Sequence, residues 1–269
     1  VRLAELHVYP LKGARGIALE RSDVLAGGLR HDRRLMLIDA HGAFVTQRKH
    51  PRMALVTTAF VEADAALAIT TPNGGTFEIA LAVEPNAPRR IVRIWDDDVE
   101  AVAIGGPVAE ALSDHLGERC TLVAMPDDVV RPVEAPYGAP GDRVGFADAY
   151  PVLLATRASL ADLVARLDEP VSMNRFRPNL VVEGGAAFAE EAQARVRIGP
   201  LTFRMPKRCS RCAVTLVDQE TAAVGKEPLR TLARYRTVDN NVYFAQNLIP
   251  DAPGSLRIGD EVTYLDTIR

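Results

Sequence analysis

The chain has 269 residues, a length suited to one or two domains, and its 48% hydrophobic and 25% charged composition is that of an ordinary folded protein. Its 32 basic and 35 acidic residues give a net charge of −3. That excludes a strongly basic nucleic-acid binder and an acidic disordered tail, while leaving room for a local basic pocket. Three cysteines cannot build a disulfide framework. No apolar run approaches the roughly 18 residues of a membrane span, and no signal-peptide pattern opens the chain. A reducing, cytoplasmic setting is therefore expected.

The first hundred residues read as short strands between turns. Leu3-Ala-Glu-Leu-His-Val-Tyr9 alternates apolar and polar residues, as residues 18–24 do more loosely. Leu35-Met-Leu-Ile38 and Ala43-Phe-Val-Thr46 flank Asp39-Ala-His-Gly42, which predicts a hairpin turn. Further strands are expected at 54–60, 66–70, 76–81 and 90–94, a spacing that suits a small barrel better than alternating βαβ units.

A helix is predicted over 107–116, with Pro107 at its first turn, Val108, Ala111, Leu112 and Leu116 on one face, and Gly117 ending it. From Pro126 to Gly145 four prolines and three glycines mark a domain boundary. Beyond it, Val152-Leu-Leu-Ala155 reads as a buried strand, and Thr156 N-caps a helix over 158–167. Strands follow at 179–183, 194–198, 201–205 and 213–217, a short helix at 227–235 with Pro228 at its start, and strands at 242–245 and 261–265. The fold class is mainly β with a few helices (α+β), in two parts, with no internal repeat.

The sharpest chemical signal is Lys207-Arg-Cys-Ser-Arg-Cys212. A closed zinc site wants four Cys or His ligands, and neither Cys120 nor the five histidines supply a second pair. A thioredoxin-like dithiol sits where a strand feeds a helix, whereas this pair leads into an expected strand. Lys207, Arg208 and Arg211 favour thiolate, the form that attacks electrophiles and binds soft metals. The plain alternative, small buried thiols beside a solvated basic run, stays open.

A second set of cations falls at strand ends: Lys12-Gly-Ala-Arg-Gly16, Arg30-His-Asp-Arg-Arg34, Gln47-Arg-Lys49 and Arg175-Phe-Arg-Pro-Asn179. Arginine suits planar, bidentate capture of phosphate, so these groups are candidates to converge on an anion, or else are solvated loop residues. No glycine-rich dinucleotide or P-loop pattern occurs, and no Gly-x-Ser-x-Gly elbow.

Read in order, Tyr9-Pro-Leu-Lys-Gly13, Gly28-Leu-Arg-His-Asp-Arg33, Thr46-Gln-Arg-Lys-His-Pro-Arg52, Asn174-Arg-Phe-Arg-Pro-Asn179, the Cys209–Cys212 motif, Val217-Asp-Gln-Glu-Thr221, Glu227-Pro-Leu-Arg-Thr-Leu232 and Phe244-Ala-Gln-Asn247 resemble MOSC-domain proteins. The resemblance is to those with a MOSC N-terminal β-barrel, the group of the mitochondrial amidoxime-reducing component and its bacterial relatives. It covers nearly the whole chain. It implies an N-terminal β-barrel-like domain at 1–130 and a MOSC barrel domain at 131–269.

The resemblance also implies a molybdenum cofactor, in which a pterin dithiolene holds the metal and one protein thiolate completes the sulfur ligation. That metal ligand would be Cys212. Lys12, Arg33, Arg177 and Asn179 would hold the phosphate and pterin, with Ser210 and Arg211 beside the ligand, and Asp148-Ala149-Tyr150 would contact the cofactor. Asp148 and Arg211 are the catalytic candidates alongside Cys212. Gly13 stands where some relatives have serine, so only its backbone can contribute. Asn247 stands where the animal proteins have tyrosine.

The activity implied is reduction of N-hydroxylated small molecules: hydroxylaminopurines, amidoximes or hydroxylamines. The alternative is a carrier of molybdenum cofactor or sulfur without turnover. Some bacterial relatives carry a plant-type ferredoxin domain, whereas this chain lacks the four cysteines a [2Fe–2S] cluster requires. Electrons are therefore expected from a separate ferredoxin- or flavoprotein-type partner, with no nucleic acid or membrane involved. Pyridoxal phosphate is not expected, and overexpressed protein can lack the molybdenum cofactor.

Overall fold

The computed structural model describes residues 1–267, and these form a mainly β protein with three α-helices. The larger sheet runs, in spatial order, through Ile17–Leu19, Arg2–Val8, Leu180–Glu183, Val152–Thr156, Asn241–Pro250, Leu201–Arg204, Gln193–Ile198 and Val262–Thr267. All pairings along it are antiparallel except Val152–Thr156 with Leu180–Glu183. The helix Arg157–Val164 lies in the crossover between those two strands, as a parallel pair requires. An antiparallel bridge between Arg2 and Glu261, with Leu3 N–H donating to Asp260 O at 2.8 Å, ties the Arg2–Val8 strand to the start of the last strand and curls the sheet into a barrel.

The first strand thus belongs to a sheet built from the second half of the chain. Its inward residues Leu3, Leu6 and Val8 pack with Leu154, Leu180, Val196, Phe203 and Leu248 in one core. Arg21–Leu25 likewise pairs with Gly254–Arg257. At Gly28 the backbone takes φ +103, and an added Cβ would lie 2.3 Å from Pro151 O, so only glycine fits there.

The first half builds its own core around Leu11, Leu37, Met53, Leu67, Ile69 and Leu122. Two sheets cover it: Leu35–Ile38, Thr121–Ala124, Asp97–Ile104 and Arg89–Ile94 in one, and Thr57–Val61, Ala66–Thr71 and Gly75–Ala80 in the other. The helix Pro107–Leu116 packs here with Val108 and Leu112 buried, and Gly117 closes it in the left-handed conformation. Residues 125–151, between the strands Thr121–Ala124 and Val152–Thr156, contain no strand or helix. Among the described residues no helix is long and apolar enough to cross a membrane.

Several expected elements differ. Residues 213–217 are not a strand: Ala213–Leu216 is a 3-10 turn. The amide and hydroxyl of Thr215 both donate to Cys212 O, at 3.1 and 3.0 Å, and this local closure overrides the β preference of Val214 and Thr215. The hairpin turn at Asp39 forms, with its carboxylate accepting from His41 N–H and Ala43 N–H, but 43–46 contributes only isolated bridges, Ala43 to Arg93 and Phe44 to Ile38. Residues 18–24 split into two strands, and 51–55 open 54–60 as a 3-10 turn. The helices at 158–167 and 227–235 shorten to Arg157–Val164 and Leu229–Ala233. The Thr156 N-cap is present, its hydroxyl accepting from Ser159 N–H.

One buried group stands apart from the cavity described below. Glu190 is fully buried; Ser159 Oγ donates to its Oε1, while its Oε2 has no partner. Burial pushes its pKa up to about 7, against the pull of Arg236 and with Glu191 adding to the rise. A carboxyl raised above its unfolded value of 4.5 stabilises the fold fully below pH 4.5, and this contribution is lost as pH rises through 7. The stability difference between wild type and Glu190→Gln should therefore change by about 3 kcal/mol between pH 4.5 and 8, in the direction that disfavours wild type at high pH. Denaturant unfolding of both proteins across that range checks it, and parallel pH profiles would refute it.

Candidate functional site

A cavity of about 320 Å³ opens where the two halves meet. Lys12 and Gly13 enter from the turn after the first strand, and Arg33 from the turn before Leu35–Ile38. Asp148, Ala149 and Tyr150 come from the loop leading into Val152–Thr156. Arg177 and Asn179 follow a 3-10 turn, while Ser210, Arg211 and Cys212 close the opposite wall. Asn247 faces the cavity from the long strand Asn241–Pro250. The residues assigned to the cofactor site by resemblance thus border one space, although Lys12 and Asn247 are separated by most of the chain, whereas the candidate cations Arg30, Arg34, Lys49, Arg175 and Arg208 do not line it.

Two of the cations are held in strained backbone. Arg33 sits at φ +47 and Arg177 at φ +54, the left-handed region that costs a side chain of this size energy and that clusters at functional positions. Their guanidinium carbons lie over the Tyr9 ring, each at 4.3 Å from its centroid. Tyr9 is fixed in turn, its hydroxyl donating to Pro178 O and its amide to Asp32 Oδ1. Burial pushes the Tyr9 hydroxyl up to about 12, so it stays protonated.

Arg33 donates from Nη1 to Asp32 at 2.5 Å and to Asn179 Oδ1 at 3.1 Å. Asn179 also accepts from Leu153 N–H and donates to His7 O. Its amide is therefore engaged in orienting Arg33 and joining strands. Burial pulls Arg177 down to about 10, still charged at neutral pH. Arg177 donates from Nη1 to Gln219 Oε1 at 3.3 Å, while its buried Nη2 has no partner.

On the other side, Lys12 Nζ meets Asp148 Oδ1 at 2.5 Å. The surrounding protein partly desolvates Asp148 and opposes its ionisation, but the Lys12 ammonium, the Trp95 indole N–H at 3.2 Å and Arg48 overcome this and hold the carboxyl well below the usual carboxylate range. Asp148 lines the cavity, and 60% of its side-chain surface is accessible there. Tyr150 and Lys207 both donate to Glu134 at the rim.

The two thiols are not equivalent. Both border the cavity, but Arg211 Nη1 donates to Cys209 Sγ at 2.9 Å and its Nη2 to Phe176 O. Cys209 therefore helps aim Arg211, whose buried Nε is without a partner. Cys212 presents its thiol from a backbone locked by Thr215, and among the described residues no group of three or more His, Cys, Asp and Glu side chains gathers as a metal cage.

The sequence assigns no role to the supporting residues, although Gln47 and Gln219 lie in stretches that carry the resemblance. Gln47 donates to Gly13 O at 2.6 Å and pairs reciprocally with Gln219, linking Lys12–Gly13 to Arg177. Arg131, only 5% exposed, donates to Asp97 Oδ2 and to the carbonyls of Gly145, Ala147 and Asp148. It fixes the loop that carries Asp148.

A β-rich chain in two parts, with a cationic cavity beside a Cys-x-x-Cys thiol, defines a MOSC-type protein. Residues 1–119 match the MOSC N-terminal beta barrel domain and residues 141–263 the MOSC domain. The chain belongs to the MOSC-domain family, in the group that joins these two domains. It is 31% identical to mitochondrial amidoxime-reducing component 1 of Mus musculus, across 98% of this chain and 82% of that protein. The Danio rerio protein of the same name is 34% identical over 88% of this chain and 75% of its own length. The Homo sapiens protein is 29% identical over 98% and 82%.

Proposed function

We propose that this chain is a molybdenum cofactor-dependent reductase of N-hydroxylated compounds such as amidoximes, hydroxylamines and hydroxylaminopurines. The observation that carries the reading is the shared cavity: a thiol, Cys212, faces the same space as Lys12, Arg33, Arg177 and Arg211. Two of those arginines have buried, unpartnered nitrogens, Arg177 Nη2 and Arg211 Nε, which is the state expected of donors awaiting an anionic ligand. A soft donor beside phosphate-binding cations fits a pterin phosphate that carries a thiolate-ligated metal. The names of the relatives point the same way.

In this reading Cys212 is the protein's metal ligand. Lys12, Arg33 and Arg177 bind the phosphate end, and Ser210 and Arg211 lie beside the ligand. The cofactor supplies the two-electron redox chemistry by which an N–O bond is reduced. Asp148, held ionised by Lys12, accepts hydrogen bonds from substrate N–H or O–H groups and so orients them. It is not placed to donate a proton itself. Tyr9, Asn179, Gln47 and Gln219 hold the cations in place. Electrons come from a separate ferredoxin- or flavoprotein-type donor.

The test is protein made in a host with an intact cofactor pathway, analysed for molybdenum and pterin and assayed on benzamidoxime with an artificial electron donor. About one metal per chain together with turnover is the expected result. Cofactor without turnover under several donors would instead mark a carrier, and protein free of both metal and pterin would refute the reading.

A further inference from the structure

Arg48 borders the cavity, and beyond the pull of its charge on Asp148 it has no part in the arrangement above. Among the described residues it is the cavity-lining cation whose side chain makes no hydrogen bond to protein. Lys12 and Lys207 are paired with carboxylates, Arg33 with Asp32, and Arg177 and Arg211 with amide, carbonyl or sulfur acceptors. Among the described residues no carboxylate lies within 4.0 Å of the Arg48 guanidinium. Asp148 is near enough to feel its charge but is taken up by Lys12 and Trp95.

The guanidinium is nevertheless well positioned. Its Cζ lies 4.4 Å from the centroid of the Trp95 ring and 6.0 Å from that of Phe44. Trp95 is itself an outlier: it sits at φ +55 in the turn between Arg89–Ile94 and Asp97–Ile104, and it is 42% exposed. A bulky side chain in left-handed backbone persists only where its surroundings over-determine it. Here the Asp97–Arg131 ion pair holds the turn, the indole N–H holds Asp148, and Phe44 flanks the ring at 5.1 Å. The outcome is an aromatic plate at the cavity mouth with a guanidinium resting on it. A guanidinium stacked in this way keeps its in-plane N–H donors free, the geometry suited to a carboxylate or phosphate oxygen pair.

We propose that Arg48, seated on Trp95, is a subsite for an anionic group carried by the substrate, a carboxylate or a phosphate monoester. The proposal deepens the reductase reading and rests on it for the chemical identity of the rest of the substrate. The enzyme then prefers N-hydroxylated compounds that carry an anion, such as N-hydroxylated nucleotides or carboxylated amidoximes, over neutral ones.

Trp95 is the single tryptophan of the chain, so intrinsic fluorescence reports directly on this subsite without turnover. Cofactor-loaded protein is titrated with two matched pairs of product-like ligands: 4-amidinobenzoate against benzamidine, and adenosine 5′-monophosphate against adenosine. In at least one pair the anionic member should bind about tenfold more tightly, the effect of one charge-assisted contact. The pair with the larger difference identifies carboxylate or phosphate as the preferred anion. Arg48→Met should bring the anionic member to the level of its neutral partner, and Arg48→Lys should recover only part of the difference. Isothermal calorimetry on the same proteins repeats the measurement without the fluorophore. Equal binding within both pairs, discrimination that survives Arg48→Met, or no binding by any of the four overturns the proposal. Benzamidoxime turnover on the same preparation tests the reductase reading separately, so the two can fail independently.

Discussion

Cys212→Ser is expected to lower benzamidoxime reduction by more than about 100-fold, because a hard, normally protonated hydroxyl replaces a soft thiolate. Molybdenum and pterin content should fall much less, since Lys12, Arg33 and Arg177 are untouched and the phosphate contacts survive. Cys209 offers the contrast. Its sulfur accepts from Arg211, so Cys209→Ser retains an acceptor and should keep most activity. Cys209→Ala leaves Arg211 Nη1 without that partner and should lose more. Steady-state kinetics normalised to metal content separates these outcomes, and full activity in Cys212→Ser would remove the ligand assignment.

The second large effect is expected at a residue remote from any substrate. Arg131→Ala strips a buried guanidinium from one carboxylate and three carbonyls. Asp97 is half exposed, so the cost falls mainly on the three carbonyls, and leaving such acceptors unpaired costs about 1–3 kcal/mol each, on the order of 3–5 kcal/mol together. At roughly 2–4 °C per kcal/mol for a chain of this size, Tm should fall by about 10 °C. Because Arg131 also fixes the Asp148 carbonyl and the Trp95 turn, activity measured well below the new Tm should fall as well. Arg131→Lys should rescue little, since one ammonium cannot reach acceptors spread around a planar fork. A variant with unchanged melting would show that the loop is held by other contacts, such as Phe146 N–H to Arg33 O.

Which features were legible in the sequence follows from where their causes lie. The helix Pro107–Leu116 could be read to its ends because its start, its buried face and its left-handed Gly117 cap are all local. Lys12, Arg33, Arg177 and Cys212 stood out because charged and sulfur groups at strand ends are conspicuous in a mixed composition. Residues 213–217 misled because β-branched side chains favour strands on average, whereas the Thr215 hydroxyl bonding back to Cys212 decides this one. The strands Asp97–Ile104 and Thr121–Ala124 escaped notice: the first begins with acidic residues that hide its alternation, and the second is only four residues long. Gln47 and Gln219 lay inside stretches that stood out, but with no role attached, and Arg131 and Trp95 could not be seen at all. Their significance lies in what they touch, and those partners come from distant segments.

The seating of Arg2–Val8 beside Leu180–Glu183 has a consequence for synthesis on the ribosome. The first strand waits for a partner about 180 residues downstream, which at cellular elongation rates is a delay on the order of ten seconds or more. During that interval the segments that form the first-half core have already emerged, while Leu3, Leu6 and Val8 lack most of their core and only the edge beside Ile17–Leu19 can pair, the edge that Leu180–Glu183 covers staying open. A nascent chain stalled near residue 130 should therefore be prone to self-association and dependent on chaperones. One stalled beyond Pro250, with Leu180–Glu183 and Asn241–Pro250 already made, should not.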